Sequence, residues 1–149
     1  MLKEIKNLIA FLTIIPVGMD PDCLTDAANY MPLFPLMGAF IGLLVGLLAW
    51  LLFHILPALI VGMLTLGFIL LITGLHHTDG LLDFGDGIMY QGPPEKKIEI
   101  MHDQQTGAGG LTLGLVTLLT TAFCIAGLNA SIVIQSLIIS ETSAKLAMV

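Results

Sequence analysis

Residues 33–75 read LFPLMGAFIGLLVGLLAWLLFHILPALIVGMLTLGFILLITGL, 43 consecutive positions without a charged side chain. A helix rises ~1.5 Å per residue and a bilayer core is ~30 Å thick, so this length predicts two membrane spans. His54 and Pro57 mark the turn, which places the spans at about residues 33–53 and 57–75. Gly38, Gly42 and Gly46 form a small-xxx-small ladder on the first span, a pattern that lets two helices approach closely. Outside this stretch the composition agrees. Hydrophobic residues make up 56% of the chain, charged residues only 11%, and mean hydropathy is +0.98, which identifies an integral membrane protein.

The chain continues into Gly-Leu-His-His-Thr-Asp-Gly-Leu-Leu-Asp-Phe-Gly-Asp-Gly-Ile-Met-Tyr-Gln-Gly, residues 74–92. Asp79, Asp83 and Asp86 stand at i, i+4 and i+7. At ~100° per residue a helix gathers these three carboxylates within about 60° of arc. Three converging carboxylates repel one another unless a cation neutralises them, and hard oxygen donors suit Mg²⁺, or Mn²⁺. The alternative is a solvated loop, since Asp79-Gly80 and Asp86-Gly87 are turn-forming pairs. Against the loop, Asp83 and Asp86 sit among Leu81, Leu82, Phe84, Ile88 and Met89, and His76 and His77 directly follow the apolar run.

The flanks supply the rest of the architecture. Residues 2–17 predict a helix lying at the membrane interface: their apolar part is too short for a span, and no Ala-x-Ala-like cleavage site follows. Asp20 to Asn29 read as a polar connection. Pro93-Pro94 and Glu95 open a short helix to Gln104 carrying Lys96, Lys97, Glu99, His102 and Asp103. Thr106 to Gly110 form a glycine-rich turn, and residues 111–128 and 130–149 supply two further spans. The expected fold is therefore all-α and polytopic, one membrane domain of about four spans plus an interfacial helix, with a catalytic segment at about residues 76–107. Cys23 reads as a loop thiol and Cys124 as a core thiol; the methionines, among them Met31, Met37, Met63 and Met89, read as packing residues. With four spans, every lysine and every carboxylate falls on one side, and the positive-inside rule makes that side the cytoplasm. A net charge of −6 with no arginine excludes nucleic acid as a partner.

The acidic stretch carries a family resemblance. His77-x-Asp79-Gly80-Leu81-Leu82-Asp83-x-x-Asp86-Gly87, preceded by Thr73-Gly74, resembles the signature of the cobalamin-5'-phosphate synthases, or adenosylcobinamide-GDP ribazoletransferases. Thr13-Ile14-Ile15-Pro16-Val17 is similar to that family's Thr-Arg-x-Pro-Val, and Phe34-Pro35-Leu36-Met37-Gly38 to its Phe-Pro-Leu-x-Gly. Glu99-Ile100-Met101-His102-Asp103, followed by Gly107 and Gly110, matches its Glu-Ile-Met-x-Asp-Ser-Arg-x-Gly region. Ile14 and Gln104-Gln105 depart from it by lacking its arginines, and His76 is extra.

The resemblance implies a Mg²⁺-dependent transferase of the cell membrane that joins α-ribazole, or its 5'-phosphate, to adenosylcobinamide-GDP with release of GMP. Carried over residue by residue, Asp79, Asp83 and Asp86 hold the metal, and Asp83, Asp86 or Asp103 takes the proton from the attacking hydroxyl. His76, His77, Lys96, Lys97 and Gly107 are the substrate-binding candidates, and Lys96, Lys97 or Lys145 replaces the arginines only as a point charge. The bilayer and the two substrates are the expected partners, and a homo-oligomer is compatible with them. The family's pattern continues beyond Val149, so a truncated, divergent or split protein is expected. Two other readings stand beside this one: a transferase like the CDP-alcohol phosphotransferases with another acceptor, and a non-catalytic fragment or subunit. A cation transporter fits less well, because it would place its carboxylates mid-span.

Overall fold

The computed structural model describes residues 2–18, 21 and 23–149, and among them all regular structure is helical. Helix α1 spans Leu2–Leu12 and α2 spans Cys23–Asn29; a single 3-10 turn at Met31–Leu33 leads into α3 at Phe34–Leu52. The others are α4 (Ala58–Ile72), α5 (His76–Met89), α6 (Pro94–Met101), α7 (Ala108–Ala126) and α8 (Val133–Leu146). Met31–Leu52 and Ala108–Ala126 are each long and apolar enough to cross a membrane. Helix α4 meets that test only when joined to α5 across a bend of 97°, giving two or three candidate spans where the sequence predicts four. At 15 residues α4 is ~22 Å long, and the 14 residues of α8, which include Glu141 and Lys145, reach ~21 Å.

Packing between α3 and α8 follows from the glycine ladder. A Cβ at Gly42 would come within 2.5 Å of the Leu137 carbonyl oxygen, and one at Gly46 within 2.9 Å of Ile134 Cα; at Gly38 it would collide with the Glu141 carbonyl. The ladder is thus a bare strip against which the α8 backbone lies. Around it Ile41, Val45 and Ala49 of α3, Val61 and Leu66 of α4, Ala122 and Ile125 of α7, and Val133 and Leu137 of α8 close one core. A second core joins Leu8 and Leu12 of α1 to Ala27, Phe34 and Met37. Leu111, Leu115, Leu119 and Phe123 face outward from α7 at helical spacing. That face suits acyl chains and would be an association hazard in water.

Three local readings change. The N-terminal helix ends at Leu12, not at Val17, because β-branched Thr13-Ile14-Ile15 before Pro16 disfavours helix. The Thr13 hydroxyl donates back to the Ile9 carbonyl (2.6 Å), and the Ile14 N–H donates to Ile72 (2.8 Å), tying this stretch to the end of α4. The expected polar connection contains α2, whereas Asp20 and Asp22 lie outside the described residues. The cysteines exchange roles. Cys23 is buried, its thiol donating to the Asn7 carbonyl at 3.3 Å, and Cys124 is exposed on α7. Apolar neighbours mark a span but not which face of it looks inward.

The ladder makes a direct prediction. Gly42→Ala forces α3 and α8 apart and should lower the thermal midpoint in detergent, with overpacking costing about 1–3 kcal/mol. Gly67 has nothing within 4 Å of its Cβ position, so Gly67→Ala should leave the midpoint unchanged or raise it. Circular-dichroism melts of the two variants side by side check this.

Candidate functional site

The acidic stretch forms α5 because a defined stop ends α4 just before it. Gly74 takes φ 68°, its N–H donates to the Leu71 carbonyl and the Leu75 N–H donates to Leu70, a Schellman closure. Leu75 follows at φ 64°, unusual for a residue with a side chain. Two left-handed residues in succession turn the chain through 97°. Helix α5 thereby runs across the end of the bundle with its carboxylates at that end.

Asp86 holds α5 against α7. Its carboxylate accepts the Gly107 N–H at 2.7 Å and the Gly110 N–H at 2.8 Å, satisfying amides at the start of α7 that have no partner within that helix. Such an approach requires bare backbone. A Cβ at Gly85 would lie 2.8 Å from Gly110 Cα, and one at Gly109 would lie 2.7 Å from the Gly85 carbonyl oxygen. The Gly110 and Gly107 amides also hold the Asp86 carboxyl below the usual carboxylate range. Gly107, a substrate-binding candidate, therefore already gives its N–H to Asp86.

Asp79 and Asp83, one turn apart on α5, line a polar cavity of about 390 Å³ with Met101, His102, Asp103, Gln104 and Thr106. Asp103 reaches this cavity from the loop after α6, because that helix ends at Met101 and not at Gln104 as the sequence predicts. Sequence reasoning did not select His102 as a site residue. Its Nδ1 lies 2.7 Å from the Ile98 carbonyl and so carries the proton, which in the neutral ring leaves the Nε2 lone pair free. Its i, i+4 relation to Ile98 was visible, but the shared cavity was not.

The two neighbouring histidines share one cavity of about 310 Å³ with Thr73 and Met148, and differ in what else they meet. His76 lines a cavity of about 320 Å³ with Gly74, Leu75, Thr78, Asp79 and Leu82, and so stays on the aspartate side. His77 turns to α8, where its Nε2 lies 3.2 Å from Lys145 Nζ. Lys96 pairs with Glu99 at 2.6 Å on the open surface of α6, and neither Lys96 nor Lys97 lines the aspartate cavity. Among the described residues no three His, Cys, Asp or Glu side chains already converge tightly enough to hold a metal ion. The donor chemistry around the larger cavity nevertheless suits Mg²⁺: three carboxylates, with Gln104 and Thr106 oxygens and the His102 ring beside them, leave room for water.

Asp86 yields a pH prediction. A carboxyl whose pKa is lowered on folding contributes stability that is full above its unfolded pKa and is lost as pH falls through the folded value. Asp86→Asn should therefore lower the thermal midpoint at neutral pH and flatten the acid-side loss of stability. Detergent melts of the variant against the parent, taken from neutral pH down through the ordinary carboxylate range of about 4 and below it, check this.

The family described as Cobalamin-5-phosphate synthase matches residues 4–149. Proteins named adenosylcobinamide-GDP ribazoletransferase are similar to the chain throughout. That of Methanosarcina barkeri is 34% identical across 99% of this chain and 56% of its own length. That of Methanocella arvoryzae is 38% identical across 100% and 56%, and that of Methanococcoides burtonii 36% across 99% and 58%. The chain thus spans a little over half the length of these relatives. No solved structure matches it. A family match over nearly the whole chain, together with the acidic helix held at the end of an apolar bundle, places this chain in the cobalamin-5-phosphate synthase family.

Proposed function

We propose that this chain carries the metal- and phosphate-handling part of an adenosylcobinamide-GDP ribazoletransferase. The observation that carries the reading is the convergence of Asp79 and Asp83 from α5 with Asp103 from the loop after α6 on one polar cavity, at the end of an apolar bundle. In this reading Asp79 and Asp83 hold Mg²⁺, and Asp86 adds whatever lone pairs the Gly107 and Gly110 amides leave unused. Bound there, Mg²⁺ would neutralise charge on the diphosphate of the nucleotide-activated corrinoid, the usual metal contribution to phosphoryl transfer. Mn²⁺ would substitute for it.

The chain's own groups do the remaining work. A ribazole hydroxyl attacks the phosphorus of the cobinamide phosphate, the bond to the bridging oxygen breaks, and GMP leaves. Asp103, or His102 through Nε2, takes the hydroxyl proton, since both line the cavity beside the aspartates. The Asp86 cap keeps α5 fixed against α7 while this happens. In the membrane the charged end of the bundle faces the cytoplasm, where both substrates are met.

GMP release from adenosylcobinamide-GDP with α-ribazole, by the detergent-purified chain, tests the proposal. Release should need Mg²⁺ or Mn²⁺, stop with EDTA, and fall at least about 100-fold in Asp83→Asn and in Asp103→Asn. Metal-independent release, or release unchanged in Asp83→Asn, would contradict it.

A further inference from the structure

Lys145 is 3% exposed, the most deeply buried lysine among the described residues. Its stem packs on Gly38 of α3, where an added Cβ would come within 2.9 Å of Lys145 Cγ. A buried ammonium needs compensating partners. The two nearby are weak ones: a neutral imidazole nitrogen of His77 at 3.2 Å and a Glu141 oxygen at 3.9 Å, the latter beyond charge-assisted hydrogen-bond distance. An ammonium has only hydrogens to give, so His77 Nε2 is the acceptor and the ring proton sits on Nδ1. Lys145 thus retains N–H capacity, and His77 offers a second donor.

Both residues line a cavity of about 280 Å³, shared with Thr73, Thr78, Glu141 and Met148. Thr78 also lines the cavity that holds His76 and Asp79, and Asp79 in turn lines the one that holds Asp83 and Asp103. The three hollows therefore share lining residues in succession around α5, from the end that holds Lys145 and Glu141 to the end that holds the aspartates.

We propose that Lys145 and His77 form a metal-independent subsite for a phosphate group, at the opposite end of this groove from the aspartates. This rests on the transferase reading for the identity of the ligand, and on the buried lysine alone for its charge. Two sources offer that chemistry: the 5'-phosphate of a phosphorylated ribazole, and the diphosphate of the nucleotide-activated corrinoid. The subsite supplies positive charge that a chain without arginine otherwise has only at Lys3, Lys6, Lys96 and Lys97.

The test is binding, which needs no catalysis. Inorganic phosphate should bind the detergent-purified chain in EDTA, followed by phosphorus NMR line broadening. Affinity should fall about tenfold or more in Lys145→Met and in His77→Leu, and change less than about threefold in Asp83→Asn. His77→Leu stands in should Lys145→Met fail to melt cooperatively. Titrations with α-ribazole, α-ribazole 5'-phosphate and adenosylcobinamide-GDP then assign the source. If the acceptor's phosphate occupies the subsite, Lys145→Met abolishes the preference for phosphorylated over free ribazole. If the diphosphate does, the same change weakens adenosylcobinamide-GDP alone. No phosphate binding in EDTA, or binding unchanged in a folded Lys145→Met, would overturn the subsite. Lysine-dependent binding by a chain that releases no GMP would instead contradict only the transferase reading.

Discussion

The carboxylate of Asp86 on the first amides of α7 is the contact on which the charged end of this protein depends. The acidic helix packs Leu82 and Met89 against glycines 114 and 109 of α7, and its charged face needs a further anchor. Asp86 solves this electrostatically, placing a negative charge at the positive end of α7 and satisfying two otherwise orphaned donors. The glycines at 85, 107, 109 and 110 make the approach possible. Position on α5 then fixes everything else: Asp79 and Asp83 look toward α6, His76 stays with them, and His77 reaches α8.

This arrangement divides the three aspartates by role. Asp86 is already engaged by the protein's own backbone, whereas Asp79 and Asp83 line a cavity of water-accessible size beside Asp103. Carboxylates gathered on one polar cavity raise the local concentration of cations there. Such a cavity suits a divalent cation and, through it, a phosphate. The buried lysine lies on the other flank of α5, beside His77 and Glu141.

Much of this was legible in the chain. Absence of charge from Leu33 to Leu75 marked α3 and α4, the i, i+4, i+7 aspartates marked α5, and the Gly38, Gly42 and Gly46 ladder marked the α3–α8 contact in kind though not in partner. The family resemblance carried over residues 4–149. What stayed hidden was long-range. Asp86 meets glycines 21 and 24 positions later, and no local pattern separates a cap from a ligand. Lys145 reads from sequence as a point charge on the same side as the other lysines, and only the structure shows that Gly38 leaves room for its stem to pack inside. His76 and His77 could not be told apart without a helix whose start is set by the left-handed pair at Gly74 and Leu75.

The central claim is that Asp79 and Asp83, not the capped Asp86 alone, hold a divalent cation. Electron paramagnetic resonance of Mn²⁺ titrated into the detergent-purified chain tests it most directly. The account predicts a saturable Mn²⁺ site that Mg²⁺ displaces and that Asp79→Asn or Asp83→Asn abolishes while the fold, read from the thermal melt, is kept. A site that survives both substitutions, or no bound Mn²⁺ in the folded parent chain, would contradict it.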